Sequence, residues 1–308
     1  MMRLIQCFPL YKPIALKRLI NRALSNRVEI LLDLEDSLQD AVDTENNFGL
    51  KLSGRKALVF LSDFLSDISK TFPVHIRINN PTTSFFEYDL KLLEKLESVN
   101  WESIFAPKTE SLQNLQYLDA EFKNRGINHK GISPIVETIK GVNWLVNDFT
   151  YTNIPLHGIF FGNYDYNLSC NNWPLVEQNS EGYWSLAEGL ISKVESLGYR
   201  YGNSPYANLR DISTLNQILV RLNTMCSLDF YQVTLNNVQS KNCREFCAKP
   251  KAALLHPSTG ANSVQEIQMG FLKYKLSNRS FAFDHFAGRL ITPHEYLLSI
   301  HQNRNAPW

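Results

Sequence analysis

Two acidic side chains stand where a metal-binding site could form. Glu137 lies near the end of the apolar run 131–138, Asp165 ends the run 157–165, and one helical segment separates them. Neighbouring parallel strands lie about 4.8 Å apart, so carboxylates at the same end of two such strands would converge. Two carboxylates that leave room for water are a common way for proteins to hold Mg²⁺. The pair predicts a magnesium site, while either acid alone could instead cap the next helix.

Charged and polar side chains also follow the other strand-like runs. These are Glu35 and Asp36, Arg77 and Asn79, Lys108, and His256. The starts of the runs carry little by comparison: Pro73, Trp101, Gly131 and His157. In barrels of parallel strands, the active site forms at the C-terminal ends of the strands. The distribution therefore predicts an active site at one end of such a barrel.

Three of these residues are expected to bind a small acid. Arg77 has the planar fork that grips a carboxylate with two hydrogen bonds. Asn79 and His256 are expected to join Arg77 in binding the substrate. A structural salt bridge for Arg77, and hydrogen bonds from His256 to the backbone, are the alternatives.

Three other residues are expected to take part in the chemistry together with Arg77. Glu35 and Asp36 would bind metal-bound water or orient the metal ligands. Lys108 would balance the acidic cluster or stabilise a developing enolate or oxyanion. Bridging between loops is the alternative for the two acids, and a simple counter-ion role is the alternative for Lys108.

Strand-like and helical segments alternate along almost the whole chain. The strand-like runs are 4–9, 28–35, 73–79, 101–108, 131–138, 156–165, 199–206 and 252–256, and the eighth helix is expected at 264–271. Eight such units predict a (β/α)₈ TIM barrel over residues 1–275. Residues 276–308 would form a C-terminal extension that packs on the barrel or on a neighbouring subunit. A doubly wound sheet is the alternative, but the chain lacks its G-x-G-x-x-G turn.

The composition excludes several classes of protein. The chain has 308 residues, 44% of them hydrophobic, with a net charge of +1 and no long basic run. These values do not favour a nucleic-acid-binding surface. No stretch reaches the roughly 18 apolar residues that a membrane span needs, and the apolar part of the N-terminus is too short for a signal peptide. We therefore expect a cytoplasmic protein with its five scattered cysteines reduced.

Short motifs in a fixed order resemble the citrate lyase β-subunit-like group of the HpcH/HpaI aldolase superfamily. The residues Leu-Asp-Leu-Glu-Asp at 32–36 resemble its "LDLED" signature, and Arg77-Ile-Asn79 its "RIN". The further matches are Pro107-Lys108 with Glu110, Glu137-Thr138 with Gly141, Phe161-Gly162 with Asp165, and His256-Pro257. Together the matches span nearly the whole predicted barrel.

The resemblance implies a lyase or aldolase that makes or breaks carbon–carbon bonds in hydroxy acids or 3-hydroxyacyl thioesters. By this similarity, Glu137 and Asp165 would bind Mg²⁺, with Mn²⁺ as the alternative ion, and Arg77 would bind the substrate carboxylate. By the same similarity, Glu35 and Asp36 would support the water molecules bound to the metal ion. It also implies a homo-oligomer, a trimer or a hexamer. The general base stays open among Glu35, Asp36, His256 and a metal-bound hydroxide.

The chain also departs from the group. The Gly-Lys that usually precedes the final His-Pro is missing, and Lys251 is displaced. Such regions would contact a nucleotide-bearing carrier, so a coenzyme A thioester stays open. The Asn-Tyr-Asp-Tyr stretch at 163–166 resembles divergent lyases found beside tellurium-resistance and stress-response genes. Thioester hydrolysis on the same site and a non-catalytic barrel that binds a small acid are the competing functions.

Overall fold

Eight parallel strands close into a barrel in the computed structural model. The structure describes residues 1–10, 12–38, 47–172, 174–248, 282–284, 289–291 and 293–305. The strands are β1 (Met2–Pro9), β2 (Glu29–Asp33), β3 (Val74–Arg77), β4 (Trp101–Ala106), β5 (Ile132–Val136), β6 (Ile159–Phe161), β7 (Tyr201–Asn203) and β8 (Phe230–Thr234). Each strand pairs with its successor, and β8 pairs with β1. The predicted (β/α)₈ TIM barrel is confirmed.

Helices surround the barrel and connect its strands. They are α1 (Pro13–Ser25), α2 (Asn47–Phe60), α3 (Ser62–Ser69), α4 (Phe86–Lys95), α5 (Leu112–Asn124), α6 (Ile139–Asn143), α7 (Asn163–Ser169), α8 (Glu181–Ser196), α9 (Ile212–Met225), α10 (Asn237–Ala248) and α11 (Pro293–Asn305). A short 3₁₀ helix covers Asp36–Leu38, and α6 continues as a π turn, Trp144–Asp148. Before α11, β9 (Ala282–Asp284) and β10 (Arg289–Ile291) form an antiparallel pair. None of the described helices is long and apolar enough to cross a bilayer.

The core has two parts because each barrel strand is covered on both faces. Side chains such as Ile30 and Ile76 point outward and pack beneath helix residues such as Ile20. A smaller cluster fills the barrel interior, and it consists of Ile5, Leu31, Phe105, Ile135, Phe160, Tyr231 and Val233. The interior is therefore a packed core, and open space is left only at the ends of the strands.

The predicted position of the eighth strand was wrong. The barrel closes with β8 at Phe230–Thr234, whereas the predicted strand 252–256 and helix 264–271 lie outside the described residues. Polar side chains inside β8 hid it from a search for apolar runs. Gln232 is fully buried because Asn203 donates a hydrogen bond to its amide oxygen (2.8 Å). The division of the chain at residues 275 and 276 stays a prediction.

Candidate active site

A cavity of about 370 Å³ opens at the C-terminal ends of the strands. Aromatic and aliphatic side chains such as Phe105, Ile135 and Phe160 form its floor. Among the described residues, its acidic side chains are Asp33, Asp36, Glu137 and Asp165, and its basic side chains are Arg77 and His294. Four carboxylates thus face one arginine and one histidine. The predicted location of the site, at the C-terminal end of the barrel, agrees with this cavity.

Glu137 follows directly after β5 and is almost completely buried. Its Oε1 accepts a hydrogen bond from the backbone N–H of Lys108 (2.8 Å). A Cβ at position 162 would collide with the Glu137 carboxylate, which explains the glycine there. Thr138, and not Glu137, caps α6 by accepting from the N–H of Gly141 (3.0 Å). Helix capping therefore does not account for Glu137.

Asp165 lies in the first turn of α7, because β6 already ends at Phe161. The prediction that Asp165 ends a strand was therefore wrong, although the residue still faces the cavity. Its Oδ1 lies 3.3 Å from Nζ of Lys108, and its Oδ2 lies 3.0 Å from Nε2 of His294. Gly162 occupies the cap position of α7, so Asp165 is not a helix cap either. Two basic side chains hold this carboxylate instead.

The pKa values of the two acids are shifted in opposite directions. Burial, together with the nearby charges of Asp165 and Glu35, raises the pKa of Glu137 well above its ordinary value. For Asp165, burial works in the same direction, but His294 and Lys108 outweigh it and lower the pKa. Pairs of acids whose environments separate their pKa values are typical of sites that bind cations or transfer protons.

Arg77 is the last residue of β3, which ends two residues before the end of the predicted run 73–79, and three carboxylates surround it. Its fork binds Asp33, with Nε 2.7 Å from Oδ1 and Nη2 2.6 Å from Oδ2. Its Nη1 donates to Oδ2 of Asp36 (3.1 Å) and lies 3.0 Å from Oε2 of Glu35. Asp33 therefore already occupies the two-pronged face of the guanidinium group, and a substrate carboxylate would have to displace Asp36 from Nη1.

Glu35 is a buried acid whose raised pKa bears on proton transfer in the site. Burial and the neighbouring charge of Asp36 raise its pKa to about 8, against the opposing effect of Arg77 and Lys108. Its Oε2 forms the ion pair with Nη1 of Arg77 (3.0 Å) but accepts no well-aligned hydrogen bond within the described part of the chain. A carboxyl group that titrates near neutral pH can both give and take a proton. Both Glu35 and Asp36 lie just beyond the end of β2, which stops at Asp33.

Lys108 connects the two acidic sides of the site. Its Nζ lies 3.4 Å from Oε1 of Glu35 and 3.3 Å from Oδ1 of Asp165. Although burial opposes it, these carboxylates raise the pKa of Lys108, so the side chain stays charged. Its backbone adopts a φ of 52°, which is uncommon for a residue other than glycine. That conformation lets the backbone N–H reach Glu137 while the side chain reaches Glu35.

Asn79 lies behind the cavity wall and not on it. Its side-chain amide donates to the backbone oxygen of Leu34 (3.0 Å) and to Oδ2 of Asp89 (2.8 Å). Lys51 donates to its Oδ1 and also to the backbone oxygen of Glu35 (3.2 Å). This network positions the loop that carries Glu35. His256, the other predicted substrate ligand, lies outside the described residues.

Sequence reasoning did not identify three residues that shape the site. Asp33 was visible as the first acid of the "LDLED" run, but its role depends on the neighbouring strand that brings Arg77 beside it. Lys51 lies in α2, where its sequence neighbours give no indication of burial. His294 comes from α11, more than a hundred residues from Asp165, and only the tertiary structure joins them.

No protein-family model and no curated protein matches the chain, but solved structures do. RipC from Yersinia pestis is 20% identical, with a TM-score of 0.57 over 82% of this chain and 96% of that one. The M. tuberculosis citrate lyase beta subunit, complexed with oxaloacetate and magnesium, is 16% identical, with a TM-score of 0.57 over 78% and 94%. The chain has the fold of the citrate lyase β subunit. This fold is consistent with the superfamily that the motifs resemble.

A malate synthase from Haloferax volcanii covers the chain more completely. It was solved as a pyruvate/acetyl-CoA ternary complex and is 11% identical, with a TM-score of 0.71 over 98% of this chain and 89% of that one. At such identities, the likeness establishes the fold alone. The solved structures with this fold nevertheless include enzymes of the lyase and aldolase type, several of them with magnesium.

Proposed function

We propose that the protein is a divalent-metal-dependent carbon–carbon lyase or aldolase. It would cleave or form a small hydroxy acid or a 3-hydroxyacyl thioester, and a keto acid would be one of the products. One observation carries the proposal: among the described residues, the carboxylates of the site (Asp33, Glu35, Asp36, Glu137 and Asp165) outnumber the cationic side chains that contact them (Arg77, Lys108 and His294). Carboxylates in such excess favour a cation, because a divalent ion neutralises their mutual repulsion.

Glu137 and Asp165 are the proposed metal ligands. Both are buried, both face the cavity, and neither caps a helix. The raised pKa of Glu137 reflects in part the charge of Asp165, so a shared cation would relieve the repulsion between them. When bound, Mg²⁺ would polarise an oxygen of the keto acid and so stabilise charge that develops there.

The cavity suits a substrate of a few carbon atoms with at least one carboxylate. Its floor of Phe105, Ile135 and Phe160 excludes water beneath the reacting carbon atoms. Nη1 of Arg77 faces the acids at the mouth and would take the substrate carboxylate in exchange for Asp36. The likeness to an enzyme complexed with oxaloacetate and magnesium supports this substrate class.

Glu35 is the proposed proton-transfer group. Glu35 does not itself line the cavity, so a bridging water would carry the proton between a substrate hydroxyl and its carboxyl group, whose pKa of about 8 suits transfer in either direction. Lys108, which lies between Glu35 and Asp165, would hold the enolate oxygen of the leaving fragment. Asp36 would hold the guanidinium group of Arg77 until the substrate carboxylate takes its place on Nη1.

Thermal unfolding against a matrix of Mg²⁺ with pyruvate, glyoxylate, oxaloacetate and acetyl-CoA tests the proposal. A ligand that binds only the native state raises its stability by mass action. We expect the melting temperature to rise with a keto acid only when Mg²⁺ is present. The lyase proposal fails if no combination raises it.

A second assay separates the lyase from a thioester hydrolase on the same site. Thiol release from acyl-CoA without any keto acid product would favour hydrolysis. A keto acid product from a hydroxyacyl-CoA or from a free hydroxy acid would favour the lyase, and the better of those two substrates would show whether the enzyme uses a coenzyme A carrier.

A further inference from the structure

The C-terminal helix α11 brings an imidazole into the acidic cavity. His294 is the second residue of α11, and its side chain is only 12% exposed. The ring lies 6.0 Å from that of Tyr164 in α7 and lines the cavity beside Asp165. The metal ligands predicted from the sequence motifs are all carboxylates. His294 would add a nitrogen donor to these oxygen donors.

The position of the imidazole fits that of a metal ligand. Its Nε2 lies 3.0 Å from Oδ2 of Asp165, and one ligand atom each from Asp36, Asp165 and His294 lies within 4.8 Å of the others. Two atoms at neighbouring corners of an octahedral ion are about 3 Å apart, because each bond is roughly 2.1 Å long. The contact between His294 and Asp165 is a hydrogen bond, and the same 3.0 Å separation would serve two neighbouring ligands once a metal ion replaced its proton.

The other ring nitrogen gives no competing reason for the position of His294. Nδ1 is buried and has no hydrogen-bond partner among the residues that the structure describes. The contact of Nε2 with Asp165 is therefore the one polar contact that the described part of the chain gives the ring. The ring therefore makes this polar contact on the side that faces the cavity.

We propose that His294 is a direct ligand of the active-site metal ion, next to Asp165, and that it makes the site prefer Mn²⁺ and similar transition ions to Mg²⁺. Imidazole nitrogen suits transition metals, whereas Mg²⁺ prefers oxygen ligands. A site of carboxylates alone does not make this distinction so strongly. The inference rests on the proposed function, since it concerns the ion that the lyase would use.

Isothermal titration calorimetry with Mn²⁺ and with Mg²⁺ tests the preference in the wild type and in His294→Gln. Glutamine keeps a polar side chain and offers oxygen in place of nitrogen. We expect the variant to lose affinity for Mn²⁺ by about 10-fold or more, while its Mg²⁺ affinity changes by less than about threefold. His129→Gln is the matched control, because His129 lies beside the start of β4 at the opposite end of the barrel.

Electron spin echo modulation of bound Mn²⁺ tests the bond itself. A ¹⁴N coupling in the wild type and in His129→Gln that is absent from His294→Gln supports the proposal. The absence of ¹⁴N coupling in the wild type overturns it, as do equal losses of Mg²⁺ and Mn²⁺ affinity in the variant. If neither ion binds the wild type, the proposed function fails as well, so the two failures are distinguishable.

Discussion

The two ends of the barrel both bury ionisable side chains, but they satisfy them to different degrees. At the N-terminal end, Glu29 is bonded to Arg3 (2.6 Å) and to His75 (3.0 Å). These partners lower the pKa of Glu29, although burial opposes the shift. At the C-terminal end, burial and neighbouring acids raise the pKa of Glu35 and that of Glu137. The N-terminal end thus stabilises the charge of its carboxylate, whereas the C-terminal end holds more carboxylates than positive side chains.

The network at the N-terminal end continues through neutral partners. Nδ1 of His75 is 2.8 Å from the hydroxyl of Ser103, which bonds in turn to Ser133 (2.8 Å). Nε2 of His157 bonds to the hydroxyl of Tyr231 (2.8 Å), and burial, with the neighbouring His75, lowers the pKa of His157 to about 4. The imidazole of His157 is therefore neutral at physiological pH.

This end could also be considered as a metal site. Ligand atoms of Glu29, His75 and His157 lie within 4.8 Å of one another. However, the guanidinium of Arg3 already neutralises Glu29. Proximity of donor atoms therefore does not suffice. We expect a cation at the C-terminal end because Asp33, Glu35, Asp36, Glu137 and Asp165 together outnumber Arg77, Lys108 and His294, even though Asp165 itself has basic partners.

The largest effect is expected for Asp165→Ala. The variant should lose metal-dependent stabilisation, because one of the two proposed carboxylate ligands is gone. At a Mg²⁺ concentration 100 times the wild-type Kd, the wild type should gain about 2.7 kcal/mol of unfolding free energy. Denaturant titration with and without Mg²⁺ measures the gain, and an undiminished gain in the variant would remove Asp165 as a ligand.

A stability loss of about 1.5–3 kcal/mol is expected for Glu29→Gln, because its charge-assisted hydrogen bonds to Arg3 and His75 are weakened. Urea unfolding gives the loss. Calorimetry should find the Mg²⁺ affinity of this variant unchanged. A weakened Mg²⁺ affinity would show that the two ends of the barrel are coupled, which the comparison does not expect.

Arg77→Lys is expected to weaken keto acid binding in the presence of Mg²⁺ by about 10-fold, or about 1.4 kcal/mol. Lysine keeps the positive charge beside Asp33 but loses the planar fork and Nη1. Titration of oxaloacetate or pyruvate into the Mg²⁺-loaded protein measures the change. Equal keto acid affinity in both proteins would assign Arg77 to the salt bridge with Asp33 alone.

The effect that is smallest at any one pH is a change of slope with pH in Glu35→Gln. The raised pKa of Glu35, about 8, means that the folded protein binds a proton between about pH 5 and pH 8 that the unfolded chain releases. The stabilisation that Glu35 contributes to the folded wild type is therefore present at low pH and is lost as the pH rises through 8. In the variant, the decrease of unfolding free energy with pH should be smaller by up to about 1.4 kcal/mol per pH unit. An unchanged slope would contradict the assignment.

The sequence predicted the barrel and part of its site because both depend on local pattern. Apolar runs located seven strands, and Glu137 and Arg77 lie at or just beyond strand ends as expected. Strand β8 was missed, since its buried Gln232 depends on a hydrogen bond from another strand. The approach of His294 to Asp165 depends on a helix far along the chain, and no local pattern encodes such a contact.

Calorimetric titration of Mg²⁺ in the presence of pyruvate tests whether the acidic end of the barrel binds the metal ion. The proteins to compare are the wild type, Glu137→Gln at the acidic end, and Glu29→Gln at the satisfied end. We predict one saturable site in the wild type and in Glu29→Gln, and none in Glu137→Gln. Equal binding by the wild type and Glu137→Gln would contradict the claim that excess carboxylates at the C-terminal end form the metal site.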